Sequence, residues 1–259
     1  MNTTDYETIL TTLVDGVMTI TMNRPDRLNA WTYKMGAEMQ QVIEAGNASE
    51  EVDVFIITGA GRGFCAGADI KDLFHQQAKS GDSTDNEAPR DWVGLVRSAK
   101  PIIAAVNGAA VGAGMNLALG CDVRIAARRA KFDTRFLQLG IHPGGGHTWM
   151  LRRIVGPQVT AATVLFGEVL DGAEAQRVGL AYRCVEDADL LTVAHEMAAR
   201  AASAPRELVI ETKKTLAAMA VVQTHPEAVA RELTPQLWST RQPWFAERLA
   251  ALQAKITKK

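Results

Sequence analysis

Two largely apolar runs, Val52 to Thr58 and Pro101 to Val106, each lead directly into a stretch of glycine and alanine, and this pairing limits the possible folds more than any other feature. A run without alternation offers water no polar face, so it reads as a strand covered on both sides, the condition of strands in parallel sheets. Helical patterns lie between and after the runs: Thr32 to about Ala45, a helix near Asp91 to Ser98, and one beginning near Ala113. Strands alternating with helices make an α/β protein. In such architectures ligands bind beyond the carboxyl ends of the strands. The loops Gly59 to Ala68 and Asn107 to Asn116 are therefore where a site is expected.

The remaining segments fill in this plan. Thr8 to Val14 and Val17 to Met22 flank Asp15-Gly16, a dipeptide that accepts the positive φ of a tight turn, so the chain opens with a β-hairpin. Further strands are expected at Val123 to Ala127 and Ala181 to Val185. Gln76 to Pro89, QQAKSGDSTDNEAP, has almost no apolar residue with which to bury surface and predicts a mobile loop that covers a ligand. From Asp187 onward helical patterns dominate, broken at Pro205, Pro226, Pro235 and Pro243. The division expected is an α/β core over 1–186 and a helical subdomain over 187–259.

Bulk properties exclude several function classes. With 28 Lys plus Arg against 29 Asp plus Glu, the formal net charge of -1 gives no general electrostatic attraction to nucleic acid or an acidic membrane. The three cysteines, Cys65, Cys121 and Cys184, are widely spaced with no CxxC, which fits reduced thiols. No stretch reaches the roughly 18 apolar residues of a membrane span, and Met1 to Tyr6 is polar without a secretory pattern. A cytoplasmic protein is expected. The histidines, His75, His142, His147, His195 and His225, form no HExxH, so no metal is expected. The run Gly59 to Gly63 is not GxGxxG, and no GK[ST] occurs, so neither a dinucleotide nor ATP is indicated.

In the first loop, Gly63 to Ile70 (GFCAGADI), small residues let a ligand approach main-chain N–H groups before a helix expected to start at Ile70. The second, Asn107 to Asn116 (NGAAVGAGMN), leads into a helix whose first N–H groups lack internal partners and favour negative charge. Two such donors aimed at one carbonyl oxygen form an oxyanion hole suited to a thioester enolate.

These segments carry a family resemblance. FCAGADI follows a strand ending ITG; PIIAAVNGAAVGAG comes about forty residues later, then CDVRIAARRAKF and LGIHPGGG, with Asn23-Arg24-Pro25 and Leu28-Asn29-Ala30 near the start. Taken together, in order and spacing, they resemble the crotonase superfamily, the enoyl-CoA hydratase/isomerase family, from about Val17 to about Arg183. The resemblance implies an α/β crotonase-like spiral of ββα units with a C-terminal helical subdomain. It implies a homotrimer or dimer of trimers acting on an acyl-CoA thioester, with coenzyme A part of the substrate and no separate cofactor. By position it assigns the oxyanion donors to the N–H groups of Ala68 and Ala113. It places Arg27, Ala30, Ala66, Asp69, Ile70, Gly112, Phe136 and Ile141 along the substrate path, with Arg27 near the CoA phosphates.

The resemblance also exposes two departures. Where hydratases of this family place catalytic glutamates, this chain has Asn116 and Phe136. An amide has no useful pKa and a phenyl ring moves no proton, so ordinary water addition is not what these residues predict. Ala113 stands where the family has glycine, and its methyl group bears on acyl size. Asp133, Arg135, His142 and His147 are the candidates for replacement chemistry and Asn116 for orienting a water or acyl group, five candidates in all; structural alternatives are Asn116 as a backbone partner, Asp133 as an ion-pair partner of Arg135, and His142 as a backbone-bonded loop histidine. Cys65 reads as packing, and Asp69 as a helix N-cap beside its place on the substrate path. Two readings stay open: an acyl-CoA enzyme performing hydration, isomerisation, decarboxylation, C–C cleavage or thioester hydrolysis, and a non-catalytic acyl-CoA-binding protein.

Overall fold

The structure, a computed structural model, describes residues 6–69 and 93–257. The hairpin forms β1 (Ile9–Val14) and β2 (Val17–Met22), joined through Asp15 and Gly16, both at positive φ. Helix α1 (Tyr33–Ala48) follows, with the Thr32 hydroxyl accepting from the Met35 N–H at its start. It buries Met35, Met39, Val42 and Ile43, the spacing of one helical face.

Strand β3 (Val54–Gly59) is buried at every position, as its unbroken apolar run requires. Phe55 and Ile57 join the larger core, whereas Val54 and Ile56 point to the opposite face. With β5 (Ile102–Val106), β7 (Val123–Ala127) and β10 (Arg183–Val185) it completes a six-stranded sheet, ordered β1-β2-β3-β5-β7-β10, parallel except for the hairpin.

A second sheet draws two of its four strands from the glycine-rich segments themselves. Short strands β4 (Gly63–Cys65), β6 (Ala109–Val111), β8 (Lys131–Asp133) and β9 (Leu170–Asp171) form a four-stranded sheet in that order. Each of β3, β5 and β7 thus crosses a short turn into a strand of the smaller sheet, producing the expected ββα repeat. In sequence, Gly59 to Ala68 reads as a loop throughout and Asn107 to Gly112 as a turn before the helix near Ala113; strands of three residues lack the length to show alternation. At the crossing the backbones nearly touch: a Cβ on Gly108 would stand 1.9 Å from the Arg62 carbonyl oxygen.

After β6 come α2 (Ala113–Gly120), α3 (His147–Leu165, broken at Gly156), α4 (Gly172–Arg177), α5 (Leu190–Ala202), α6 (Arg206–Met219), α7 (His225–Ser239) and α8 (Pro243–Thr257). The stretch from residue 187 begins with α5, whose Leu190, Ala194 and Ala198 cover Val54, Ile56, Ile103 and Ile125 on the outer face of the large sheet.

The helix expected near Asp91 to Ser98 is, in its described part, a single 3-10 turn, Gly94–Val96. Here the chain spends its polar groups on a tertiary contact. Ser98 Oγ donates to Asn47 Oδ1 (2.6 Å) and accepts from the Lys100 N–H, while Pro101 demands an extended approach. The mobile loop expected at Gln76 to Pro89 and the helix start at Ile70 lie outside the described residues. The last strand begins at Arg183, two residues after the expected Ala181.

Two buried asparagines pin the turn between β3 and β4. Asn107 accepts from the Gly59 N–H (3.1 Å) and donates to the carbonyls of Gly59, Gly61 and Gly63. Asn29, held at φ +57°, donates to the carbonyls of Ala60 and Gly63. Asn107→Ala should lower stability by about 2 to 4 kcal/mol, because several of its backbone partners are buried. Urea denaturation should show a lower midpoint with an unchanged slope; an unchanged midpoint would count against this role.

Candidate active site

The first glycine loop is held between two partners. On one side the Ala66 N–H donates to the Leu28 carbonyl, and a parallel bridge forms at Trp31 and Ala68: Trp31 N–H to Gly67 O (2.8 Å) and Asp69 N–H to Trp31 O (2.8 Å). In a parallel bridge only one residue of the pair uses its own N–H and C=O, here Trp31. The Ala68 N–H therefore faces away from Trp31. On the other side of this segment runs β6, paired with β4 at Cys65 and Ala110.

The second loop is set by a turn at Gly112. Gly112 ends β6 at φ +50° and ψ -111°, strained for any residue with a side chain, and its N–H donates to the Asp133 carbonyl (2.9 Å). This turn makes Ala113 the first residue of α2, where the N–H has no intrahelical partner. The loops are in contact: a Cβ on Gly67 would meet the Val111 carbonyl at 3.1 Å, and one on Gly114 would meet the Cys65 carbonyl at 2.1 Å. Two chain segments that cannot accept another methyl between them thus run against each other, one carrying Ala68 beside Gly67 and the other Ala113 beside Gly114.

Near the Ala113 end lies a side-chain cluster. Asn116 is buried one turn along α2; its Nδ2 donates to the Gly144 carbonyl (2.9 Å) and its Oδ1 lies 2.6 Å from His147 Nδ1. His147 is the first residue of α3 and only 1 % exposed. Phe136 stands edge-on to its ring at a centroid distance of 5.0 Å, and two Phe136 ring atoms lie 3.9 Å from where a Gly112 Cβ would be. Positions 116 and 136, which lack glutamates, thus both touch one histidine. Burial depresses the His147 pKa to about 4, so the ring is neutral near pH 7.

The other candidates occupy different settings. Asp133, the last residue of β8, is buried and ion-paired with Arg135 through Nε at 2.9 Å and Nη2, and this pairing raises the Arg135 pKa. His142 is exposed, with Nδ1 2.8 Å from the Pro143 carbonyl, and does not join the cluster. Ile141 is largely exposed, and its N–H donates to the Phe136 carbonyl. Arg27 is exposed at the end of a 3-10 turn. The Ala30 carbonyl accepts from Arg24, whose Nη2 also reaches Asp69 at 2.9 Å. Asp69 therefore has a cationic partner that sequence reasoning did not assign. Ile70 is outside the described residues. Cys65 is wholly buried and burial pushes its thiol up to about 11, as befits packing.

The spiral of paired sheets and the two glycine loops at its strand ends define the crotonase class. The chain matches the enoyl-CoA hydratase/isomerase family over residues 12–242 and belongs to it. It is 46% identical over 256 residues to the probable enoyl-CoA hydratase EchA14 of Mycobacterium tuberculosis, covering 96% of this chain and 98% of that one. It is 38% identical over 203 residues to 1,2-epoxyphenylacetyl-CoA isomerase of Escherichia coli, covering 77% and 78%. A crystal structure of enoyl-CoA hydratase from Bacillus anthracis superposes with a TM-score of 0.84 at 28% identity, covering 98% and 97%. Among the described residues no helix is long and apolar enough to cross a membrane, and no group of His, Cys, Asp and Glu is arranged to hold a metal ion.

The His147 environment has a consequence for stability. Its unfolded pKa is near 6.5 and its folded pKa about 4, so between these values the unfolded chain binds the extra proton and stability falls as pH falls. Across that window His147 should account for a loss on the order of 3 kcal/mol. His147→Gln should therefore show a shallower decline between pH 6.5 and 4 than the wild type in urea titrations. Parallel declines would disprove the buried neutral state.

Proposed function

We propose that this chain is an enzyme that binds an acyl-CoA thioester, polarises its carbonyl with the Ala68 and Ala113 N–H groups, and stabilises the resulting enolate. The observation that supports this reading is the bridge at Trp31, which leaves the Ala68 N–H on the side away from Trp31, together with the start of α2 at Ala113, whose N–H has no intrahelical partner. Charge developing on a thioester oxygen would meet two fixed donors and the positive end of a helix, with no reorganisation needed during reaction. Family membership supports acyl-CoA as the substrate class. Asn116 and Phe136 offer no carboxylate to activate water, which favours chemistry within the acyl chain, such as double-bond migration, over hydration.

The same two residues favour a second reading, an acyl-CoA-binding protein without turnover. Incubation with 2-enoyl-CoA and 3-enoyl-CoA esters, alongside direct binding measurements, separates the two. Conversion of a 3-enoyl ester is expected; binding with no conversion of any ester would establish the second reading.

The donor assignment has its own test. Proline is tolerated at the first position of a helix and carries no N–H. Ala113→Pro should lower turnover about 100-fold to 1,000-fold, the cost of one lost oxyanion donor. Turnover at the wild-type rate would remove Ala113 from the mechanism.

A homotrimer or dimer of trimers is part of the same proposal. It is supported by the exposed apolar side chains Val229, Leu233 and Leu237 on α7 and Leu249, Leu252 and Ile256 on α8. Light scattering should return a mass of three or six chains, and a monomer would exclude it.

A further inference from the structure

We propose that His147 is the proton-transfer residue of this site, taking over the task for which positions 116 and 136 have no carboxylate. The inference rests on the enolate reading above and adds the group that makes the enolate.

Geometry sets the state of the ring. Because Asn116 Nδ2 is committed to the Gly144 carbonyl, the amide oxygen is the atom facing His147 Nδ1. An amide oxygen only accepts, so Nδ1 carries the hydrogen and Nε2 holds a free lone pair. Nε2 is buried and has no hydrogen-bond partner among the described residues. A buried polar atom left unsatisfied is costly in a folded protein and calls for a reason. Among the described residues, Asn116 from α2 and the Phe136 ring from the segment after β8 lie against the imidazole, with the Gly144 carbonyl behind Asn116, and none of these groups titrates. The ring's place at the start of α3 further disfavours a resting imidazolium.

The Nε2 lone pair takes a proton from the α-carbon of the acyl-CoA. The C–H electron pair becomes the carbon–carbon double bond of the enolate, and the carbonyl π pair moves onto the oxygen held by the Ala68 and Ala113 N–H groups. The imidazolium then returns its proton to carbon: to the α-carbon, restoring the substrate, or to the γ-carbon of a 3-enoyl ester, giving the conjugated 2-enoyl ester. Histidine ends neutral in both cases.

The test is exchange of the α-protons of butyryl-CoA in deuterated water, followed by proton NMR, with butyryl-CoA affinity measured separately. Wild type should exchange well above the buffer rate. His147→Gln should lose about 100-fold or more, the contribution of a positioned base, with affinity changed less than about threefold. Asn116→Asp should shift the acid limb of the exchange profile upward from near pH 4 by about one unit or more, because a carboxylate at Nδ1 stabilises the imidazolium. If the histidine is purely structural, any limb seen in Asn116→Asp belongs to the new carboxylate at 116 and persists in Asn116→Asp/His147→Gln. Wild-type binding without exchange would overturn the enolate reading and His147 with it. Exchange in wild type that persists in His147→Gln would overturn only the assignment of His147. Should His147→Gln fail to fold, the Asn116→Asp profile decides, and an unmoved limb overturns the proposal.

Discussion

The architecture depends on backbone approaching backbone where the large sheet hands each chain segment to the small one. At Gly108 a single methyl would stand 1.9 Å from the Arg62 carbonyl oxygen, and at Gly114 one would stand 2.1 Å from that of Cys65. Such contacts leave no room for side chains between the loops, and they fix how the segment carrying Ala68 lies against the segment carrying Ala113. The requirement that lets the sheets pack is therefore the one that fixes the two segments proposed to hold the thioester carbonyl. Rigidity would serve that role, because preorganised donors need no rearrangement as charge develops.

Polar side chains support this arrangement from behind. Asn107 and Asn29 fasten the turn between β3 and β4, while Arg24 ties the Ala30 carbonyl to Asp69 at the rim. Lys100, almost fully buried, donates to the carbonyls of Gly46 and Ser49 and closes the end of α1, and burial lowers its pKa. These groups hold backbone that would otherwise be left unpaired inside the protein, so their contribution is to definition as well as stability.

The site's two halves differ in chemical character. In the backbone half, the N–H groups of Ala68 and Ala113 are the proposed donors. In the side-chain half, a buried amide and a phenyl ring stand where paired carboxylates are expected, and both lean on His147. This pairing accounts for Asn116 better than a backbone role alone, since its two ends bridge Gly144 and the imidazole. Asp133 and Arg135 neutralise each other close by.

The sequence alone determined the hairpin, the helix following Ala30, the doubly buried β3 and β5, and the two glycine-rich segments after them, because strand burial, helical periodicity and turn chemistry are local properties written in consecutive residues; the Thr32 cap became evident only in the structure, where its hydroxyl accepts from the Met35 N–H. It also determined that positions 116 and 136 lack carboxylates. The second sheet was not legible, since strands as short as Ala109–Val111 are defined by their partners and not by their own pattern. The helix expected near Asp91 gave way, in its described part, to a 3-10 turn because Ser98 found Asn47, fifty-one residues earlier in the chain. Among the five replacement candidates, local pattern could not rank His147 above His142. Only the tertiary structure did so, by burying one ring against Asn116 and Phe136 and leaving the other in solvent, a distinction that depends on contacts thirty-one residues apart.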